Sequence, residues 1–271
     1  MNATSDLRLR LHANWMQRPR TLGEFVDERI EYLKRLQGIH PLFREGLHLL
    51  GDSRQTSPAL APDLSNVEAF VLKETAALCR TSDARWFTGM TADGRATLET
   101  SSQLGFLLSV TNLRRHDKDD LLVRLDGGSS NPEQGASAAM DLPFAGVPEF
   151  SDPAFLKELL RVVVDYWKPE QAGIYNRVLH RATRDRETYS TPVSWLTYLD
   201  DRQVETVLPP DIHREPFGQG ILFSLQPNPP LDNVEDAIEK AIRVRDALLP
   251  GQWMTKRYWR GKSPLRPPVA A

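Results

Sequence analysis

Residues 14–38 read NWMQRPRTLGEFVDERIEYLKRLQG, and the fold turns on how that stretch divides. Pro19 disfavours helix at Arg18, so residues 14–20 predict a turn or an extended segment. Thr21 and Glu24 then stand at capping-box spacing: the hydroxyl can take a first-turn N–H, and the carboxylate can reach back to Thr21. Leu22, Phe25, Val26, Ile30, Leu33 and Leu36 follow at helical steps and form one apolar face. Glu24, Asp27, Glu28, Arg29, Glu31, Lys34 and Arg35 fall mainly on the opposite face, which is expected to be solvated. Gly38 predicts the stop, because glycine tolerates the left-handed conformation a helix end often needs.

Outward from this helix, two kinds of pattern alternate. Upstream, Leu7, Leu9 and Leu11 alternate with Arg8, Arg10 and His12, the period-two mark of a half-buried strand. Downstream, residues 42–50 are short and apolar, and residues 51–62 carry turn chemistry. Ser65 and Glu68 repeat the capping-box spacing before a second helix that bears Val67, Phe70, Val71 and Leu78 and ends near Cys79. From residue 85 the period changes: residues 86–88 and 96–100 flank Ala92-Asp93-Gly94, a hairpin signal, and residues 105–113 and 120–125 predict two further strands. Residues 126–138 predict an exposed loop, and residues 139–144 a short strand.

Asp152-Pro153 opens a third helix that buries Phe155, Leu156, Leu159, Leu160, Val163 and Val164, with Trp167 at its end and Pro169 closing it. Strands are expected over 172–179, 193–199 and 220–225, and a last helix is capped by Asp232 or Asn233 and runs to Pro250-Gly251. Strands and helices mix without strict β-α-β alternation. The fold class is therefore α+β, an antiparallel or mixed sheet packed with about four main helices. Residues 1–252 are taken as a single domain, with a subdivision near 127–135 as the alternative, and residues 253–271 as a basic-aromatic tail.

Composition narrows the function. In 271 residues, 40% are apolar and 26% charged, so a packed core is expected and wholesale disorder is not. A net charge of −2 and a pI near 6.3 argue against general nucleic-acid binding, which usually shows a basic excess. Cys79 is the sole cysteine, which leaves no intrachain disulfide and no thiolate metal cluster. No secretory leader or membrane span is read, so the cytoplasm is the expected compartment.

Catalytic motifs are thin. Gly51-Asp52-Ser53 is the kind of segment that carries the nucleophile of some serine hydrolases, yet those enzymes hold Asp and His three positions apart, and Asp211 and His213 are two apart. His12, His40, His48, His116, His180 and His213 show no metal-ligand spacing, and neither a phosphate-binding loop nor a dinucleotide glycine pattern is present. No lysine follows an acidic residue by two positions, as a restriction-type nuclease requires. No metal and no cofactor are expected, and the chain is read as a non-enzyme.

Two charged stretches remain. Asp117, Asp119 and Asp120, with Asp83, Asp93 and Glu99 in neighbouring hairpins, and Asp200-Asp201 with Glu205, could form an acidic surface that steers a basic partner. Ordinary solvated turns are the plainer reading. In the tail, Trp253, Lys256, Arg257, Tyr258, Trp259, Arg260, Lys262 and Arg266 interleave aromatic and basic side chains. That mixture can stack on single strands, but anchoring of the tail by Trp253 and Trp259 is the stronger expectation.

Trp15, Arg18 and Pro19 ahead of the helix bearing Phe25, Leu33 and Leu36, then Pro41 and Phe43, resemble the opening of a bacterial polymorphic-toxin immunity family, number fifty-two. The resemblance continues through Trp86 and Gly89, Leu142-Pro143, Tyr198-Leu199, Pro209-Pro210 and Gly220, and it ends in the helix after Pro230. Residues 51–60 depart from the family pattern, and the tail beyond Leu249 lies outside it. The resemblance implies an inhibitor of a cognate toxin, typically a nuclease of restriction-endonuclease-like fold delivered by type VI secretion. Asp117, Asp119, Asp120, Asp200 and Asp201 are the candidates for mimicking the nucleic acid that such a toxin grips. An adaptor with a non-toxin partner is the alternative reading, and a hydrolase using Ser53 a remote one.

Overall fold

A computed structural model describes residues 7–51, 57–82, 84–114, 120–143, 147–184, 192–232 and 234–255. The chain divides into two compact units, residues 1–15 with 141–271, and residues 16–140. Both are α+β, built on antiparallel strand pairing, as the mixed periodicity predicts.

The first unit contains β1 (Arg10–Met16), which carries the Leu7–Leu11 alternation five residues further than expected. Leu11, Ala13 and Trp15 are its buried side chains, with Leu9 buried just before it, so residues 14–16 take the extended alternative. After Asp141 come α-helix Pro153–Trp167, β8 (Gln171–Tyr175), α-helix Arg177–Thr183, β9 (Leu196–Leu199), β10 (His213–Phe217), β11 (Gly220–Ser224) and α-helix Glu235–Leu248. These helices are α3, α4 and α5. The strands lie in the order β10-β11-β9-β8-β1, each antiparallel to the next.

Local chemistry explains the helices. Asp152 caps α3 by accepting the Ala154 N–H at 3.0 Å, with Pro153 in the first turn. Leu156, Leu159, Leu160, Val163, Val164 and Trp167 form its buried face, and α3 packs on β8. The strand expected over 172–179 stops at Tyr175, because Asn176 turns the chain into α4. Its amide oxygen accepts the Leu179 N–H at 2.8 Å, and its amide nitrogen donates to the Pro230 carbonyl at 2.7 Å. Trp195, Tyr198, Phe217 and Phe223 fill the core of this unit.

The second unit holds α1 (Leu22–Ile39), β2 (His48–Leu49), α2 (Val67–Thr81), β3 (Phe87–Thr88), β4 (Ser101–Ser102), β5 (Phe106–Thr111), β6 (Leu122–Gly127) and β7 (Gly135–Asp141). Its strands run β7-β6-β5-β2, with β3-β4 as a separate pair. Helix α1 packs against both α2 and β5. The Thr21–Glu24 box forms in both directions, at 3.3 Å to the Thr21 hydroxyl and 2.8 Å to the Glu24 carboxylate. The expected charged face needs correction at Arg29, which is 2% exposed, while Ile30 is only half-buried. Arg29 stays charged inside because Glu28 meets one nitrogen at 2.6 Å and the Phe25 ring lies 4.0 Å below the guanidinium. The helix also runs through Gly38 to Ile39, and an extended His40 ends it.

Three further expectations shift. The Ser65–Glu68 box does not form: the Ser65 hydroxyl donates to Asp63 at 2.7 Å, and α2 starts from Asn66 with no side-chain cap. Residues 96–100 are not a strand, because the Thr97 hydroxyl donates to the Gly89 carbonyl at 2.9 Å and the Thr97 N–H takes Thr100 at 2.8 Å. The partner of β3 is therefore β4, with Phe87 opposite Ser102. Strand β7 begins at Gly135, inside the expected loop, and buries Ala136, Ala138 and Met140.

Candidate functional site

The expected acidic residues are divided between the two units. Asp83, Asp117 and Asp119 lie outside the described residues, as does Asn233. Asp120, in the second unit, is 8% exposed. Asp93 is exposed and paired to Arg95, whose hydrogen bond, with that of Thr91, holds its carboxyl below the usual range. Asp200 and Asp201 sit in the first unit just past β9.

Both oxygens of Asp201 are engaged. One accepts the Gln203 N–H at 2.9 Å, capping a short 3-10 turn over Arg202–Thr206, and the other accepts the Trp253 indole N–H at 3.1 Å. Gln171 donates to the Trp253 carbonyl at 2.7 Å, so two polar contacts tie this part of the chain down. Trp253 thus anchors as expected; Trp259 and the basic residues from 256 onward lie outside the described residues. Asp200 is half-buried, with its N–H on the Glu170 carbonyl at 3.1 Å. Between these groups stands Tyr198, 0% exposed, whose phenol is pushed up to about 12 by burial and then by Asp200 and Asp165.

The residues that carry the family resemblance are mainly structural. Trp15 is buried and stacks on Trp167 at 4.9 Å and 12° between rings. Gly89 has φ +73, and a Cβ there would stand 2.3 Å from the Glu99 carbonyl oxygen, so only glycine fits. Leu142 is 0% exposed and its N–H donates to the Leu9 carbonyl at 3.0 Å; Pro143 beside it is buried. Trp86 is half-buried, and Arg18 and Pro19 are exposed.

A concavity lies in the first unit and was not legible in the sequence, because β10 itself was not. It is a cleft of about 500 Å³ over β9, β10 and β11, flanked by residues from α3 and α5. Ser224 of β11 lies opposite Leu196 of β9 and His213 of β10, and Leu222, two residues before it on the same face, lies opposite Glu215 of β10. Glu215 pairs with Lys157 of α3, and Asp211 accepts Arg243 of α5 in a two-pronged bond at 3.1 and 2.7 Å. That fork holds the Asp211 carboxyl below its usual range. Asp211 is thereby committed to Arg243, and the Ser53 with which it was weighed lies outside the described residues, as does Asp52. Among the described residues no group of histidine, cysteine and carboxylate side chains is placed to hold a metal. No described helix is long and apolar enough to cross a membrane.

No known family matches this sequence, and no curated protein matches it. The fold is similar to that of a Pseudomonas aeruginosa T6SS protein, with a TM-score of 0.50 and 13% identity, over 92% of this chain and 73% of that one. At that identity the likeness carries the fold alone.

Proposed function

We propose that this protein is an immunity protein that binds and neutralises a cognate antibacterial toxin in the cytoplasm of the cell that makes both. The observation that carries the reading is the fold shared with a T6SS protein along 92% of the chain. The immunity role itself is drawn from the Trp15-to-Gly220 resemblance. The toxin is expected to be a nuclease of restriction-endonuclease-like fold, and inhibition to work by binding, with no chemistry of the inhibitor's own.

Interface physics sets what this requires. A stable complex buries roughly 1,600 Å² or more of combined surface, and protection from a lethal enzyme needs slow dissociation. Nuclease–immunity pairs elsewhere reach about 10⁻¹³ M. A nuclease's phosphate-gripping cations favour an acidic inhibitor surface. Of the candidate aspartates among the described residues, Asp120 is buried, while Asp200 and Asp201 are half-buried, and Asp200 is the one to test. The test is co-expression with the product of the adjacent reading frame, scored for toxicity with and without this chain. Cells survive and the two proteins co-purify if the proposal holds; death at the rate seen without the chain refutes it. An Asp200→Lys variant should associate more slowly and lose part of its salt dependence, whereas unchanged rates at every salt concentration refute the acidic contact alone.

A further inference from the structure

Four side chains lining the cleft over β9, β10 and β11 are Lys157, Asp211, Glu215 and Lys240, and three of them are already matched. Lys157 and Glu215 neutralise each other, and Asp211 is held by Arg243. Lys240, half-buried on α5, makes no hydrogen bond or ion pair among the described residues, although its charge helps keep the Asp211 carboxyl ionised. The His213 imidazole, exposed and lining the same cleft, also has no side-chain hydrogen bond among the described residues. The surroundings of these two groups are apolar: Leu196 and Leu222 form the floor with Trp195, and Pro153 and Pro227 stand at the rim.

We propose that this cleft is a binding site for small apolar monoanions, molecules with an aliphatic or aromatic body ending in one carboxylate. Its volume of about 500 Å³ falls among small-ligand sites. Charge complementarity selects the class. One unmatched ammonium attracts one negative charge, while a second negative charge would meet Asp211 and Glu215. A cationic ligand finds no unclaimed carboxylate, since each lining one is already paired. A neutral ligand of the same shape gains the apolar floor and forgoes the charge-assisted hydrogen bond to Lys240. This site stands apart from the toxin-binding reading and survives its failure.

The experiment is calorimetric titration of the full chain with sodium octanoate, octanol and octylammonium, which share a body and differ in charge. Octanoate should bind one per chain, about tenfold tighter than either of the others, as a single charge-assisted contact at a half-exposed site provides. Lys240→Gln should erase that preference and leave octanol binding as it was, and Lys240→Arg should retain the preference. The proposal is overturned if the three probes bind alike, if octanoate shows no saturable binding up to about 10 mM, or if Lys240→Gln keeps the preference.

Discussion

Removing one oxygen atom, by Tyr198→Phe, should make this protein more stable. Tyr198 is fully buried and, among the described residues, its hydroxyl has no hydrogen-bond partner. An unsatisfied buried hydroxyl costs roughly 1–3 kcal/mol, so the phenylalanine variant should gain about 1 kcal/mol at neutral pH. Alkaline pH enlarges the gap. The folded-state phenol titrates near 12 against an ordinary 10.0, a raised value, so its contribution is intact below 10 and is lost as pH climbs through 12. Linkage between those two values removes about 1.4 kcal/mol near pH 11 from the parent and nothing from the variant. Urea unfolding followed by tryptophan fluorescence, run on both proteins near neutrality and near pH 11, measures this directly. Their difference cancels every other titration the two share. A variant less stable than the parent at neutral pH would show that the hydroxyl is bonded, and a gap that fails to widen near pH 11 would show that Asp200, Asp165 and burial do not act on the phenol as described.

Other substitutions probe what the family-like residues do. Thr21→Ala removes one arm of the capping box that starts α1 and should cost about 1 kcal/mol in the same urea assay. Gly89→Ala forces a left-handed alanine against the Glu99 backbone and should cost about 2 kcal/mol or more, with no effect at Gly94, where a Cβ meets open space, beyond the φ penalty itself. Trp15→Ala opens a cavity beside Trp167 and should cost about 3–5 kcal/mol, whereas Trp15→Phe keeps most of the packing. If Trp15→Phe unfolds normally yet loses toxin protection, Trp15 is a contact residue and its structural assignment is wrong.

Much of the architecture was legible because local signals agreed with tertiary ones. The Thr21–Glu24 box, the Asp152-Pro153 start and the alternation through Leu9 and Leu11 each named an element that formed. Failures came where a residue had two physically reasonable partners. Ser65 chose the carboxylate of Asp63 over a helix cap, and Thr97 and Thr100 chose the backbone around Gly89 over a strand. Arg29 looked solvated by its charge alone; its burial depends on Phe25, which lies one turn away, and on Glu28 beside it. Strand β10 was illegible because HREPF shows no apolar alternation, and only its pairing with β11 makes it a strand. The cleft went with it. The aspartates carry the right sign, but sequence shows neither that Asp120 is buried nor that both Asp201 oxygens accept hydrogen bonds.

The central claim is that this chain exists to hold another macromolecule, and titration of the purified protein against the purified product of the adjacent reading frame measures that most directly. A one-to-one complex with nanomolar or tighter affinity and dissociation over hours is the predicted result. Absence of binding at micromolar concentration, with both proteins folded, would contradict it.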